Sequence, residues 1–95
     1  MITIKNEHIT AEIKELGAEM KRLFSNNTEY LWPGDENIWN FSSPLLFPIC
    51  GALKDGIYYH NGRKYTLPGH GFARNSMFEI ESLKDDEVVF LLRSN

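Results

Sequence analysis

The sequence predicts an all-β protein built from antiparallel strands and hairpins. Two observations carry this. Short alternating apolar runs recur at close spacing, and the breaks between them are filled with Asn, Gly, Pro and Asp. The clearest break is Asn61-Gly62, flanked by "IYYH" and "RKYTL". A two-residue hairpin loop needs positive φ at both central positions, which Asn-Gly tolerates better than other pairs.

Taken in order, residues 1–5 alternate, with Ile2 and Ile4 on one face, and read as a strand. Residues 9–24 are ambiguous. Ile9, Ile13, Leu16, Met20 and Leu23 recur at helical spacing, so periodicity alone gives an amphipathic helix. Ile9, Ala11 and Ile13 also alternate, and Gly17 interrupts the stretch. A helical glycine costs about 1 kcal/mol relative to alanine. The rival reading is two strands joined by a turn near Leu16-Gly17-Ala18. Asn26-Asn27 turns, residues 29–32 read as a strand, and Pro33-Gly34 turns again. Residues 35–44 form a long loop carrying Ile38, Trp39 and Phe41; loops with such residues pack on something or cover a site. Residues 45–50 are an apolar run that Pro48 makes an edge or a bulge. After the hairpin at 57–60 and 63–67, residues 77–82 alternate, 84–87 turn, and 88–93 form a last strand. Many short strands predict a sandwich or barrel. With no repeat or linker, residues 1–95 read as one unit. An apolar strand next to Asn95 predicts an edge that another chain, or further residues, would cover.

Composition narrows the function. The 95 residues carry a net charge of −3, with lysine and arginine scattered, which argues against a nucleic-acid partner. No apolar run is long enough to span a membrane, and "MITIKNEHIT" lacks a signal-peptide pattern. Cys50 is alone, so no intrachain disulfide can form, and flanked by apolar residues it reads as a small core residue. A cytoplasmic protein is expected. His8, His60 and His70 lack metal-ligand spacing and there is no cysteine pair, so no metal is expected. No phosphate-binding glycine loop and no nucleophile-elbow motif is present.

One bend stands out. In "LPGHGFARNS", residues 67–76, Gly69 and Gly71 flank His70, and Arg74 follows. The glycines let a ligand or another backbone approach. Imidazole is the usual acid/base near neutral pH, and a guanidinium is a fixed fork for anions or hydroxyls. The plain alternative is that the glycines serve the turn and His70 bonds to backbone. Cys50 as a nucleophile paired with His70 is the weaker catalytic reading. His8, beside a strand, and His60, beside the hairpin turn, read as solvated.

The combination resembles a family. The stretch "SSPLLFPICGALKDGIYYHNGRKYTLPGHGFARNSMFEI" is similar to the N-terminal part of the aldose 1-epimerases, the galactose mutarotase-like proteins, and more narrowly to their bacterial LacX-type branch. The shared segments are "LFP-x-x-G-x-L", the "G-x-x-Y-x-L-P" hairpin and "HGFAR". The resemblance implies the N-terminal portion of a β-supersandwich, with residues 9–24 as two strands turning at Gly17. It implies an isomerase that interconverts sugar anomers by acid/base ring opening, without a cofactor. It places a catalytic role on His70 and substrate binding on Arg74, the latter toward an anion in the phospho-sugar branch. Substrate is then an aldose sugar or sugar phosphate. Lys54 stands near the place where many members carry a substrate-touching arginine, but that place itself is Ala52. The family's second histidine and its glutamate base lie further along than residue 95, so these residues are expected to be inactive alone. Two other classes compete. In a carbohydrate-binding module, Trp32, Trp39 and Tyr58 would stack on a pyranose. In a strand-pairing structural fragment, exposed sheet edges would form a homo-oligomer.

Overall fold

A computed structural model describes residues 1–93. Ile2–Lys5 (β1), Thr10–Lys14 (β2), Glu19–Ser25 (β3) and Thr28–Glu29 (β4) form one antiparallel sheet in sequence order. Ile57–His60 (β5) and Arg63–Thr66 (β6) form a hairpin, and Glu79–Leu83 (β7) and Val88–Leu91 (β8) form another. All pairings between these strands are antiparallel, as the sequence predicts.

The helical reading of 9–24 is overturned in favour of the two strands. Gly17 explains why. Its φ is +75°, and a Cβ there would stand 2.6 Å from the Arg74 carbonyl oxygen. The turn therefore tolerates neither a helix nor a side chain. The pairs Ile2–Ile13, Ile4–Ala11 and Ile13–Met20 put the apolar residues on one face of the sheet. That face lines an open cleft together with Val88 and Phe90 of β8. Ala11 and Ile13 on that face, and Ala73 outside the sheet, are the buried apolar residues among those described.

Several boundaries move. The strand expected at 29–32 stops at Glu29; only the Tyr30 N–H continues it, to the Leu23 carbonyl, before Pro33 removes a donor. The turn expected at Pro33-Gly34 lies at residues 36–38. Asp35 closes it: its N–H donates to the Trp39 carbonyl, and its side chain accepts from the Asn37 N–H at 2.8 Å. Residues 45–50 form no strand; Phe47 makes a single parallel bridge to Gly71. The strand expected at 77–82 begins at Glu79 because Met77 bridges Leu16 and the Phe78 N–H donates to the Glu15 carbonyl. The strand expected at 63–67 ends at Thr66, with the Leu67 N–H turned to the Gly56 carbonyl. The last strand ends at Leu91, not Arg93. Cys50 is exposed, not a core residue, because the Pro48–Gly51 segment runs along the surface of the bend.

The molecule is flat, 53 × 33 × 17 Å, with a radius of gyration of 16.1 Å. A compact chain of this length has about 12 Å. Leu45, Leu46, Phe47, Phe72, Phe78 and Leu92, with Arg93 at the edge, line a broad open apolar cleft.

The β5–β6 turn is type I′ in character, with φ +51° at Asn61 and +76° at Gly62. Nearly all of the hairpin is exposed, so its turn decides whether it forms. Asn61→Val is expected to destabilise it by about 1–2 kcal/mol, because a β-branched residue resists positive φ. Faster amide exchange at Tyr58 to Tyr65, with the first sheet unchanged, is the measurement.

The largest fully buried side chain among the described residues is a carboxylate, Glu19. Burial pushes its pKa up, but the Ser42 and Ser43 amides and the Lys21 and Lys14 ammonium groups outweigh that. They hold it below the ordinary value of 4.5. A folded-state pKa below the unfolded one stabilises the fold above the unfolded value, and the gain disappears as pH falls through the folded value. Thermal stability should therefore fall with acid below pH 4.5, and Glu19→Gln should flatten that limb of a melting-temperature profile.

Candidate functional site

Two backbone segments are clasped at the bend, residues 47–51 and 68–73. The Phe47 carbonyl accepts the Phe72 N–H at 2.9 Å and the Ala73 N–H at 3.2 Å. The His70 N–H donates to the Gly51 carbonyl at 2.6 Å, and the Gly71 N–H donates to the Pro68 carbonyl. Gly51, His70 and Gly71 all lie at positive φ, +88°, +63° and +75°. A non-glycine residue there stores about 1–2 kcal/mol, and such strain concentrates where geometry serves function.

The clasp also fixes the imidazole. The Gly51 N–H donates to His70 Nδ1 at 2.9 Å. A backbone amide can only donate, so Nδ1 carries the lone pair. In this geometry the ring is the neutral tautomer with its proton on Nε2. His70 is half-buried. It is therefore held at two points, by its own N–H and by its ring, with Nε2–H left to donate.

Arg74 lies in the 3-10 turn Ala73–Asn75 that closes the bend. Its guanidinium sits 5.2 Å from the centre of the Phe41 ring, and Nη2 reaches the Gly69 carbonyl at 3.4 Å. Its Nε is shielded from solvent and has no hydrogen-bond partner among the described residues. A guanidinium has five N–H donors, so most of this fork is unspent.

Of the expected residues, His70 and Arg74 share the bend. Trp39 approaches it only through Phe41, whose ring centre is 6.2 Å away. Its carbonyl accepts the Trp32 indole N–H at 2.8 Å, which ties both tryptophans to the 35–39 turn. Lys54 is exposed on the 3-10 turn Lys54–Gly56 and makes no hydrogen bond or ion pair to the others among the described residues. Ala52 is the nearer residue: its methyl lies 3.9 Å from where a Gly69 Cβ would stand. His8 and His60 are exposed and away from the bend. None of His70, Arg74, Lys54 and Trp39 lines the large apolar cleft, which offers few hydrogen-bonding groups.

Three residues that build the site have no role assigned by sequence reasoning, although Phe41 stands in the loop expected to pack on something or cover a site. Gly51 orients the imidazole, Phe41 carries the guanidinium, and the Phe47 carbonyl holds the bend. Gly51 left a faint signal, a glycine just after an apolar run and eighteen residues before the "GHG" bend.

The family model described as Aldose 1-epimerase matches residues 1–95. Protein LacX of Lactococcus lactis, in its chromosomal and plasmid forms, is 35% identical over 100 aligned positions. These cover 99% of this chain and 33% of either relative. Among solved structures, a galactose mutarotase related enzyme from Lactobacillus acidophilus superposes with a TM-score of 0.94 at 40% identity, covering 99% of this chain and 32% of that one. A galactose mutarotase-like protein from Lactobacillus casei gives 0.93 at 38%, covering 100% and 33%. The chain thus spans about a third of the length of the curated relatives it matches.

Proposed function

Because this chain belongs to the aldose 1-epimerase family, we propose that its bend is the sugar-holding half of a mutarotase site. The observation that supports this is the Gly51–His70 clasp, with the unspent Arg74 fork on the same bend. Anomers interconvert when a base takes the proton from the anomeric hydroxyl while the ring oxygen gains one. The C1–O5 bond opens to an aldehyde, the C1–C2 bond rotates, and the ring recloses on the other face. Charge develops on the ring oxygen as it leaves. A preorganised Nε2–H donor aimed at that oxygen stabilises it most in the transition state.

On this reading His70 is catalytic as a neutral hydrogen-bond donor. Giving up its only ring proton would leave an imidazolate, so the proton that ends on the ring oxygen comes from another group. The resemblance puts the proposed base, the family's glutamate, and a second histidine further along than residue 95. Arg74 holds sugar hydroxyls, or a phosphate where the substrate is a sugar phosphate. Trp39 supplies an apolar wall; Lys54 is the weakest member of the set. No cofactor takes part, and the cytoplasm is the proposed compartment.

The test joins residues 1–95 to the C-terminal two-thirds of the Lactobacillus casei protein and follows α-D-galactose by polarimetry. Faster approach to equilibrium rotation is expected. Tryptophan emission that responds to galactose without any acceleration would instead make this a carbohydrate-binding module.

A further inference from the structure

The buried Glu19 carboxylate is unexplained by the proposed chemistry. Replacing a buried charge by an apolar group of similar volume is often neutral or stabilising, so a fold rarely needs one for stability alone. What Glu19 holds is specific. Its Oε2 accepts the N–H groups of Ser42 and Ser43. Lys14 Nζ lies 3.5 Å from Oε1 and Lys21 Nζ lies 3.6 Å from Oε2. Lys21 Nζ also donates to the Asn40 carbonyl at 3.2 Å, and the Ser43 hydroxyl donates to the Met20 carbonyl at 2.7 Å. Three consecutive residues at the start of β3 thus fasten loop residues 40, 42 and 43.

Phe41 sits inside that fastened segment, and the Arg74 guanidinium rests on it. The same β2–β3 hairpin also holds the Arg74 backbone. The Gly17 N–H donates to the Ser76 carbonyl at 2.7 Å, and Gly17 lies so close to the Arg74 carbonyl that no side chain fits. The hairpin's turn fixes where Arg74 starts, and the hairpin's first β3 residues fix where its guanidinium ends.

We propose that Glu19 is a positioning residue for Arg74: through the 40–43 loop it sets Phe41 under the guanidinium and so aims the anion-holding fork. The placement stands on the contacts above; its consequence for sugar phosphate rests on the function proposed for the bend.

The experiment uses 15N-labelled chain and reads the Arg74 Nε–H cross-peak, which the ring current of Phe41, 5.2 Å from the guanidinium carbon, is expected to displace. Alongside it, tryptophan fluorescence gives Kd for glucose 6-phosphate and for galactose. In Glu19→Gln and in Lys21→Met, the cross-peak should move toward the position of a free arginine. Kd for glucose 6-phosphate should rise about tenfold, because a misaimed fork loses its charged contact, while Kd for galactose, which offers the fork only neutral hydroxyls, should rise by less. A role in stability alone would lower the melting temperature and leave the cross-peak in place, which overturns the proposal. If Glu19→Gln does not fold, Lys21→Met decides by the same peak: movement supports the placement and an unmoved peak refutes it. If the unsubstituted chain binds neither sugar, the functional reading of the bend fails, and the cross-peak still decides the placement.

Discussion

Gly71→Ala is expected to cost about 4 kcal/mol or more, near the upper end of what single substitutions do. The added Cβ would stand 2.1 Å from the Phe47 carbonyl oxygen and 2.7 Å from the Pro48 nitrogen. Both are backbone atoms, so no side-chain rotation relieves the clash. The position also has φ +75°, which strains any L side chain. Relief requires parting the Phe47 carbonyl from the Phe72 and Ala73 amides, which dismantles the bend. In a domain of this size a loss of that order lowers the melting temperature by more than about 15 °C. Gly69→Ala is the matched control. A Cβ there meets only the Ala52 methyl and the Gly51 carbonyl oxygen, both at 3.9 Å, an ordinary contact. Its melting temperature should shift by only a few degrees. Equal losses at the two glycines would mean that the clasp, as described, does not hold the bend. The two glycines flanking His70 look alike in the sequence, yet one is required by the fold and the other leaves room beside it.

That contrast marks what could be read from sequence. Local signals were legible. Asn61-Gly62 announced its hairpin because the turn's φ requirement is met by its own two residues. Gly17 argued against a helix for the same kind of reason, although the apolar spacing favoured one. The apolar positions of 9–24 fit both periods; the family resemblance implied two strands turning at Gly17, and the physical reason is the Arg74 carbonyl, 57 residues away, pressed against that turn. Strand ends were less legible, because partners set them. Met77 and Phe78 alternate with 79–82 but bond to Glu15 and Leu16 instead of β8. His70 and Arg74 were readable as a pair because one bend carries both. Gly51, Phe41 and Glu19 were not, since each acts across 19 to 33 residues of chain through a backbone amide or a ring. A buried glutamate between lysines looks like an ordinary charged surface until the loop that covers it is known.

His70→Ala should slow mutarotation by roughly a hundredfold or more in the joined chain described above, as loss of a preorganised donor to a developing charge does. The size of the loss alone does not identify the role, since removing a proton-transferring acid would cost about as much. The Gly51 hydrogen bond separates the two. A side chain that works by passing its proton needs a second ring proton on Nδ1, where the Gly51 amide now donates. A side chain that works as a neutral donor needs only an N–H at the Nε2 place. His70→Gln keeps such an N–H and cannot act as an acid near neutral pH. If His70 is the neutral donor, His70→Gln should retain activity within about tenfold of the parent, well above His70→Ala. Equal and severe losses in both variants, with melting temperatures unchanged, would make His70 the proton carrier. The amide of Gly51 would then have to release Nδ1 during each turnover, and the clasp would be a feature of the resting site only.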